Sequence, residues 1–359
     1  MIENEAPESL VVGATGFVGR WVVRELLIRG GPVAATVRGG RDEWLRRWLR
    51  DHGADDTGLT TVSADIGRPG LGLSVADGES LARVRDVFNA AALYRFGMPV
   101  DEARAVNVTG AVNVLDRAAS LPRLRRLVHV SGYRVGREPF PGFPLPTAAS
   151  RDLYRRLGAY EASKVEGDTA VRLLAGDRGV PVTMVCPATV IGHSATGEAG
   201  QYIGPSMLVE RLWRGRLAAL PGSPRTFLPV VTVDHLAAFI AAVPEYDEGP
   251  LRSHTVLDGA TPPLPEMMSL IADHLGVRRP RVTVPVTLVR RLPRALTGVD
   301  PEGLSFLSED RYDTASADRL ARAAGLAHPP VEEALRRWAS RLVEEDFGHG
   351  ADAPGSPPR

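Results

Sequence analysis

Tyr160 and Lys164 lie four residues apart, the spacing that sets two side chains beside each other on one face of a helix. Lys164 is the only lysine among 43 basic residues, and the rest are arginine. A bias this complete makes the exception informative. Arginine is a bulky planar fork that stays charged, whereas lysine is a slim point charge that enters narrow sites. A tyrosine phenol ordinarily titrates at about 10, and an adjacent ammonium favours its ionised form. Lys164 is therefore expected to lower the proton affinity of Tyr160, so that the phenol exchanges a proton with a carbonyl or an alcohol near neutral pH. The same ammonium can hold a ribose. Both roles suit hydride transfer, in which a nicotinamide cofactor supplies the hydride and the tyrosine supplies or takes the proton.

A second motif supplies the nucleotide. Gly13, Gly16 and Gly19, with Thr15, Phe17 and Val18 between them, separate the apolar run Ser9 to Val12 from a helical pattern over Arg20 to Arg29. Glycines there permit a tight turn and close approach of backbone to a pyrophosphate, which the free N–H groups of the helix start then receive. An acidic partner for a ribose hydroxyl is expected about 20 residues on, but the segment Ala35 to Arg41 has none. Arg38 stands there instead, with Arg41, Arg46 or Arg47 to assist at a 2′-phosphate. This favours NADP(H) over NAD(H). Asp65 and Ile66 are expected to flank the adenine, and the small residues Ala90, Ala91 and Ala92 to let the cofactor pass.

The elements that must position these residues alternate. Strands are read at Ser9 to Val12, Val33 to Val37, Leu59 to Val62, Val84 to Phe88, Arg126 to Val130 and Val182 to Val185. Helical patterns separate them, including Arg41 to Asp51, Arg104 to Ala119 and one long helix from about Ser150 to Leu174 that carries Tyr160 and Lys164. Such alternation implies an α/β fold, a Rossmann-type doubly wound parallel sheet. Residues 1–191, completed by about 225–258, are assigned to that dinucleotide-binding domain. Residues 192–224 and 259–347 are assigned to a smaller C-terminal substrate domain with a strand at Arg281 to Val286 and a helix at Leu208 to Gly215. Glu138 to Pro146 reads as a loop, and 348–359 as a disordered Pro/Gly-rich tail.

Together these residues resemble the extended short-chain dehydrogenase/reductase superfamily, the NAD-dependent epimerase/dehydratase-like group. The pieces that match are Gly13 to Gly19, Asn89 to Ala92, Asn107-Val-Thr-Gly110, Tyr160-Glu-Ala-Ser-Lys164, and Val230 to Asp234 before an apolar helix. Within it the chain is most similar to the thioester reductase and fatty acyl-CoA reductase branch, through Thr36 to Gly39, Asp65 to Leu73, Asn89 to Tyr94 and Gly192 to Gly197. The resemblance implies reduction of an activated carbonyl with NADPH, Tyr160 as proton donor, and Asn107 and Pro187 beside the cofactor. It leaves a homodimer open, as it does the nucleotide-sugar epimerase/dehydratase chemistry with bound NAD found elsewhere in the superfamily. Two positions depart from the pattern. Gly132 stands where a catalytic Ser or Thr belongs, so Ser131 is the provisional carbonyl polariser, with Tyr133 or Thr189 as substitutes; lacking all of them, a non-catalytic NADP-binding regulator is the alternative. Cys186 stands where Arg is common and reads as a small buried hydrophobe.

Other candidates are weaker. His129, inside an apolar strand, reads as core, and Trp44 and Trp48 as packing against the sheet edge. His193, Ser194 and Thr196 lie in a loop on the substrate side. Phe140, Phe143, Tyr202, Met207, Leu212 and Trp213 are expected to contribute to an apolar substrate pocket. The eight histidines and one cysteine show no metal-ligand spacing. Zero formal net charge gives no reason to expect nucleic acid or a membrane surface as partner. A lone cysteine, no signal-peptide pattern and no long apolar stretch suggest a cytoplasmic protein acting on a small molecule. No carrier or adenylation segment is readable, so a thioester substrate is expected to arrive on a separate molecule.

Overall fold

The computed structural model describes residues 6–135, 142–217, 219–289, 291 and 301–349. Strand β1 (Ser9–Val12) is buried along its whole length. Its residues alternate between two cores: Val11 faces Trp21, Val22 and Phe239 on one side of the sheet, and Leu10 and Val12 face Val114, Leu115 and Val171 on the other. A strand covered on both faces needs a continuous apolar run, which is what its sequence shows. Each Leu or Val buried in this way stabilises the fold by roughly 1.5–3 kcal/mol.

Seven parallel strands form the sheet. β2 (Val33–Val37) and β3 (Leu59–Ser63) lie on one side of β1; β4 (Asp86–Asn89), β5 (Arg126–Val130), β6 (Val182–Pro187) and a late strand, Leu251–Val256, lie on the other. The order reverses between β1 and β4, which pair from Ser9↔Asp86 to Val12↔Asn89. Their ends open the crevice in which such sheets bind ligands. Helix α1 (Phe17–Ile28) leaves β1 through the glycine turn. Strand β4 begins two residues later than expected, because the Val84 N–H closes a turn on the Leu81 carbonyl.

A second body of core holds the substrate side. Leu208, Leu212, Met267, Ile271, Leu335 and Trp338 pack together, joining helices Pro205–Trp213, Leu264–Leu275 and Val331–Glu344. The expected strand at 281–286 is shorter, Val282–Val284, and pairs in parallel with Ala219–Pro221. Buried Arg20 of α1 anchors this side through Glu198 (3.3 Å), which also accepts from Trp48 (3.2 Å) and faces His52 at 2.5 Å. Those partners outweigh burial and hold the Glu198 carboxyl below its usual range.

The helix expected over 150–174 is two helices. Thr147–Leu157 ends at Gly158, and a new helix runs from Ala159 to Asp177. Gly158 has φ +81° and ψ 174°, a conformation essentially reserved for glycine. Any Cβ there would overlap the side chain of Glu302. The expected helix at 104–119 continues instead from Val100, through a π-helical turn at Ala105–Thr109. The assignments made to Phe140 and to 350–359 lie outside the described residues.

Candidate active site

The glycine turn is built for close approach. Gly13 has φ +83°, and a Cβ on it would sit 2.7 Å from the backbone of Ala91. A Cβ on Gly19 would overlap the Gly13 carbonyl. Gly16 caps α1 with no side chain on its first N–H groups, and the first turn carries no acid. An uncapped helix start of three turns, with glycine backbone around it, fits a dinucleotide pyrophosphate. The Gly13 N–H donates to the hydroxyl of Thr36 (3.1 Å), which ties the turn to β2.

Beyond it lies a cavity of about 1180 Å³. Its walls bring together nine of the residues singled out from sequence: Gly16, Phe17, Val18, Ala90, Ala92, Ser131, Tyr160, Lys164 and Pro187. Gly13, Thr15, Gly19 and Ala91 belong to the turns behind those walls. Arg38 is exposed at the end of β2, and among the described residues it has no hydrogen-bond partner. Arg46 is otherwise engaged, donating to the Asp56 and Leu59 carbonyls and to the Asp56 carboxylate. That leaves Arg41 and Arg47 as its possible helpers. Asp65 is exposed and accepts from Gly67 N–H (2.9 Å); Ile66 packs beneath Gly110. Asn107 does not reach the cavity wall. Its amide bridges both backbone groups of Leu93 (2.8 and 3.1 Å) and donates to Ser163 (2.9 Å), so it steadies the cavity edge from behind.

The helix Ala159–Asp177 carries four buried charged side chains, each with a partner. Glu161 pairs with Arg134 (2.9 Å) and Glu166 with Arg104 (2.8 Å). Asp168 pairs with Arg172, and the Lys164 ammonium donates to the Val130 carbonyl at 3.0 Å. Burial lowers Lys164 to about 8, with Asp168 opposing the shift. The half-buried Tyr160 departs from expectation. Burial raises its phenol well above the ordinary value, and the neighbouring Tyr94, Glu161 and Tyr133 push the same way. The expected lowering by Lys164 does not appear, because loss of solvent outweighs it and the ammonium faces a backbone carbonyl. Ser131 lines the cavity, but its hydroxyl donates to Asp168 (2.6 Å). Tyr133 also lines the cavity, and its buried hydroxyl has no hydrogen-bond partner among the described residues.

An apolar cleft of about 650 Å³ adjoins the cavity and shares Tyr94, Thr189, Pro205 and Phe306 with it. Aromatic rings lead into it from Tyr160: Tyr94 at 4.4 Å between centroids, then Phe96 at 5.6 Å from Tyr94 and Phe306 at 5.9 Å from Phe96. Of the six side chains expected in a substrate pocket, Met207 is on its wall. Leu212 is core, Trp213 is 41% exposed, Tyr202 donates to Glu345 and Phe143 lines a separate open depression. Tyr94, Phe96 and Phe306 were not singled out as site residues from the sequence, and only Tyr94 lay within a stretch already quoted.

The remaining candidates are structural. His129 is buried beside Asn89 (3.0 Å), and burial brings it down to about 3. Burial raises Cys186 to about 11, as for an inert thiol. Trp48 packs edge-on against Trp21 at 5.0 Å, with Trp44 against the same core. His193 lies against Trp21, its Nδ1 accepting from the Ala195 and Thr196 N–H groups; Ser194 donates to Asp234 (2.6 Å).

Residues 11–240 match the model of an NAD-binding family described as "male sterility protein". The chain belongs to this family. It is an NAD(P)-dependent extended short-chain dehydrogenase/reductase, on the branch that holds thioester and fatty acyl-CoA reductases. The chain is 29% identical to the L-2-aminoadipate reductase large subunit of Penicillium chrysogenum over 67% of its own length and 18% of that protein. It is 28% identical to tetraketide alpha-pyrone reductase 1 of Arabidopsis thaliana over 51% of its length and 57% of that protein. The chain thus spans from 18% to 57% of the length of these curated relatives. In fold it is similar to the terminal R domain from the myxalamid PKS-NRPS pathway (TM-score 0.73, 22% identity, 98% and 94% of the two chains covered). It is also similar to the R domain of a nonribosomal peptide synthetase from Mycobacterium tuberculosis (TM-score 0.70, 20% identity, 96% and 93% covered). Among the described residues no helix is long and apolar enough to cross a membrane.

Proposed function

We propose that this chain uses NADPH to reduce the carbonyl of an apolar substrate, a ketone, an aldehyde or an acyl thioester, with Tyr160 as the proton donor. The observation that carries the reading is the junction of two spaces at one phenol. The cavity behind Tyr160 joins the uncapped start of α1 to Lys164, and the cleft before it is walled mainly by aromatic and aliphatic side chains, with Thr189 and Arg211 the polar ones.

When bound, the nicotinamide supplies the hydride. The chain's own residues do the rest. Tyr160, held protonated by its surroundings, donates to the carbonyl oxygen as negative charge develops there. Lys164, fixed on Val130, holds the ribose side of the cavity. Ser131 is assigned to holding Asp168, one turn beyond Lys164, rather than to the carbonyl. Arg38 meets the 2′-phosphate, its freedom from other partners supporting NADPH over NADH. The cleft suits an apolar group better than a nucleotide sugar, whose many hydroxyls would meet few polar partners on a wall where Arg211 is the one charged side chain.

The test is to titrate the protein with NADPH and NADH by fluorescence, then follow cofactor oxidation with ketones, aldehydes and acyl thioesters. Tight NADPH binding with turnover of one class, lost in Tyr160→Phe, is expected. Preference for NADH, or turnover that survives Tyr160→Phe, overturns the reading.

A further inference from the structure

Glu302 lies 143 positions from Ala159 in the chain, yet its carboxylate accepts from the Ala159 N–H at 2.7 Å. That N–H is among the free donors at the start of the helix on which Tyr160 is the second residue. The other oxygen of Glu302 faces the Gly97 N–H at 3.3 Å, in the loop that presents Tyr94 and Phe96. One side chain therefore holds the start of the catalytic helix and the aromatic wall beside it. Gly158 makes the approach possible, since a Cβ there would displace the carboxylate.

The residues that follow Glu302 point the other way. Gly303, Phe306 and Leu307 line the apolar cleft. The Ser305 hydroxyl shares its one proton between the Glu302 carbonyl at 2.6 Å and Glu161 at 3.0 Å, and its carbonyl accepts from Arg134, which pairs with Glu161 and whose guanidinium lies 5.0 Å from the centre of the Phe306 ring. The segment is thus fastened to the first turn of the catalytic helix at Ala159 and Glu161 while its other face receives whatever fills the cleft.

We infer that Glu302 is a positioning residue through which an apolar substrate tail in the cleft sets the Tyr160 phenol against the carbonyl. The inference rests on Tyr160 being the proton donor. Tails that reach Gly303 and Phe306 hold the segment, the segment holds Glu302, and Glu302 holds the helix start. Short substrates leave the segment held only by its own hydrogen bonds.

The experiment compares acetyl- and octanoyl-pantetheine as thioester substrates with NADPH, in the full chain and in Glu302→Ala and Glu302→Gln. Tyr160→Phe serves as the control. In Glu302→Ala, kcat for octanoyl-pantetheine is expected to fall roughly tenfold to a hundredfold, the scale of loss for a small misplacement of reacting groups. The acetyl rate should fall by a smaller factor, and the Kd for NADPH should change little. Glu302→Gln keeps one acceptor oxygen, preserves folding and should lose only part of the octanoyl rate. Hydrogen exchange gives a readout independent of turnover. Octanamide should slow exchange of the Ala159 amide in the parent chain and leave it unchanged in Glu302→Ala. Equal losses on both thioesters that follow a fall in melting temperature would assign Glu302 a purely structural role and overturn the inference, as would parental kinetics in both variants. If Tyr160→Phe keeps full activity, the donor reading itself has failed; if it is inactive while the Glu302 variants behave as the parent, only the positioning inference has.

Discussion

The two halves of the site are built from different materials. The cofactor side is made of backbone: glycines, small residues and an uncapped helix start, all within one strand–turn–helix unit and the strand beside it. The substrate side is made of side chains, Tyr94, Phe96, Met207 and Phe306, gathered from distant parts of the chain. Backbone geometry tolerates almost no change, whereas an apolar wall can exchange one ring for another and still exclude water. The first half therefore fixes what every member of such a family binds, and the second is free to set what each one reduces.

This contrast can be pressed at its seam first. Tyr160→Phe removes the phenol at which the two halves meet, the proposed proton donor. The rate of reduction is expected to fall 10²- to 10⁴-fold while NADPH still quenches or shifts fluorescence as before; retained turnover would detach the two halves from a common centre. On the backbone side, Gly13→Ala forces a Cβ against Ala91 at a positive φ. An overpacking cost of about 1–3 kcal/mol should appear as a roughly tenfold to hundredfold weaker NADPH Kd, measured in the same titration. On the side-chain side, Phe306→Ala should raise KM for a long acyl substrate by about tenfold, the usual effect of removing apolar contact, with the NADPH Kd unmoved. If Phe306→Ala weakens the cofactor instead, the halves are not separable. The smallest effect is expected from pH. Lys164 titrates at about 8 in the free protein, so its cation is present below that value and lost above it. NADPH should bind severalfold more weakly at pH 9 than at pH 7, by calorimetry, and Lys164→Met should flatten that dependence.

The same division explains what could be read from the sequence. The glycine turn, the alternation of strands and helices and the Tyr–Lys spacing are local patterns, each readable from residues close together in the chain. The break at Gly158 was invisible because its cause, Glu302, is remote in sequence; a lone glycine in a helical pattern ordinarily reads as tolerated. Phe306 was missed for the same reason. Asn107 was legible as part of a motif, but its task became clear only when Leu93 and Ser163 were seen on either side of it. The proton affinity of Tyr160 was misjudged because spacing reveals a neighbour's charge and says nothing of the solvent both groups lose.

The solitary lysine has a practical meaning as well. Lys164 is 7% exposed, and no other side chain in the sequence offers an amine. Reagents that acylate or reductively methylate lysines elsewhere would find on this surface only arginine. A side-chain amine methylated by such a reagent must be Lys164, so the extent of methylation becomes a gauge of how open the cavity is, and protection by a ligand a direct count of occupied sites.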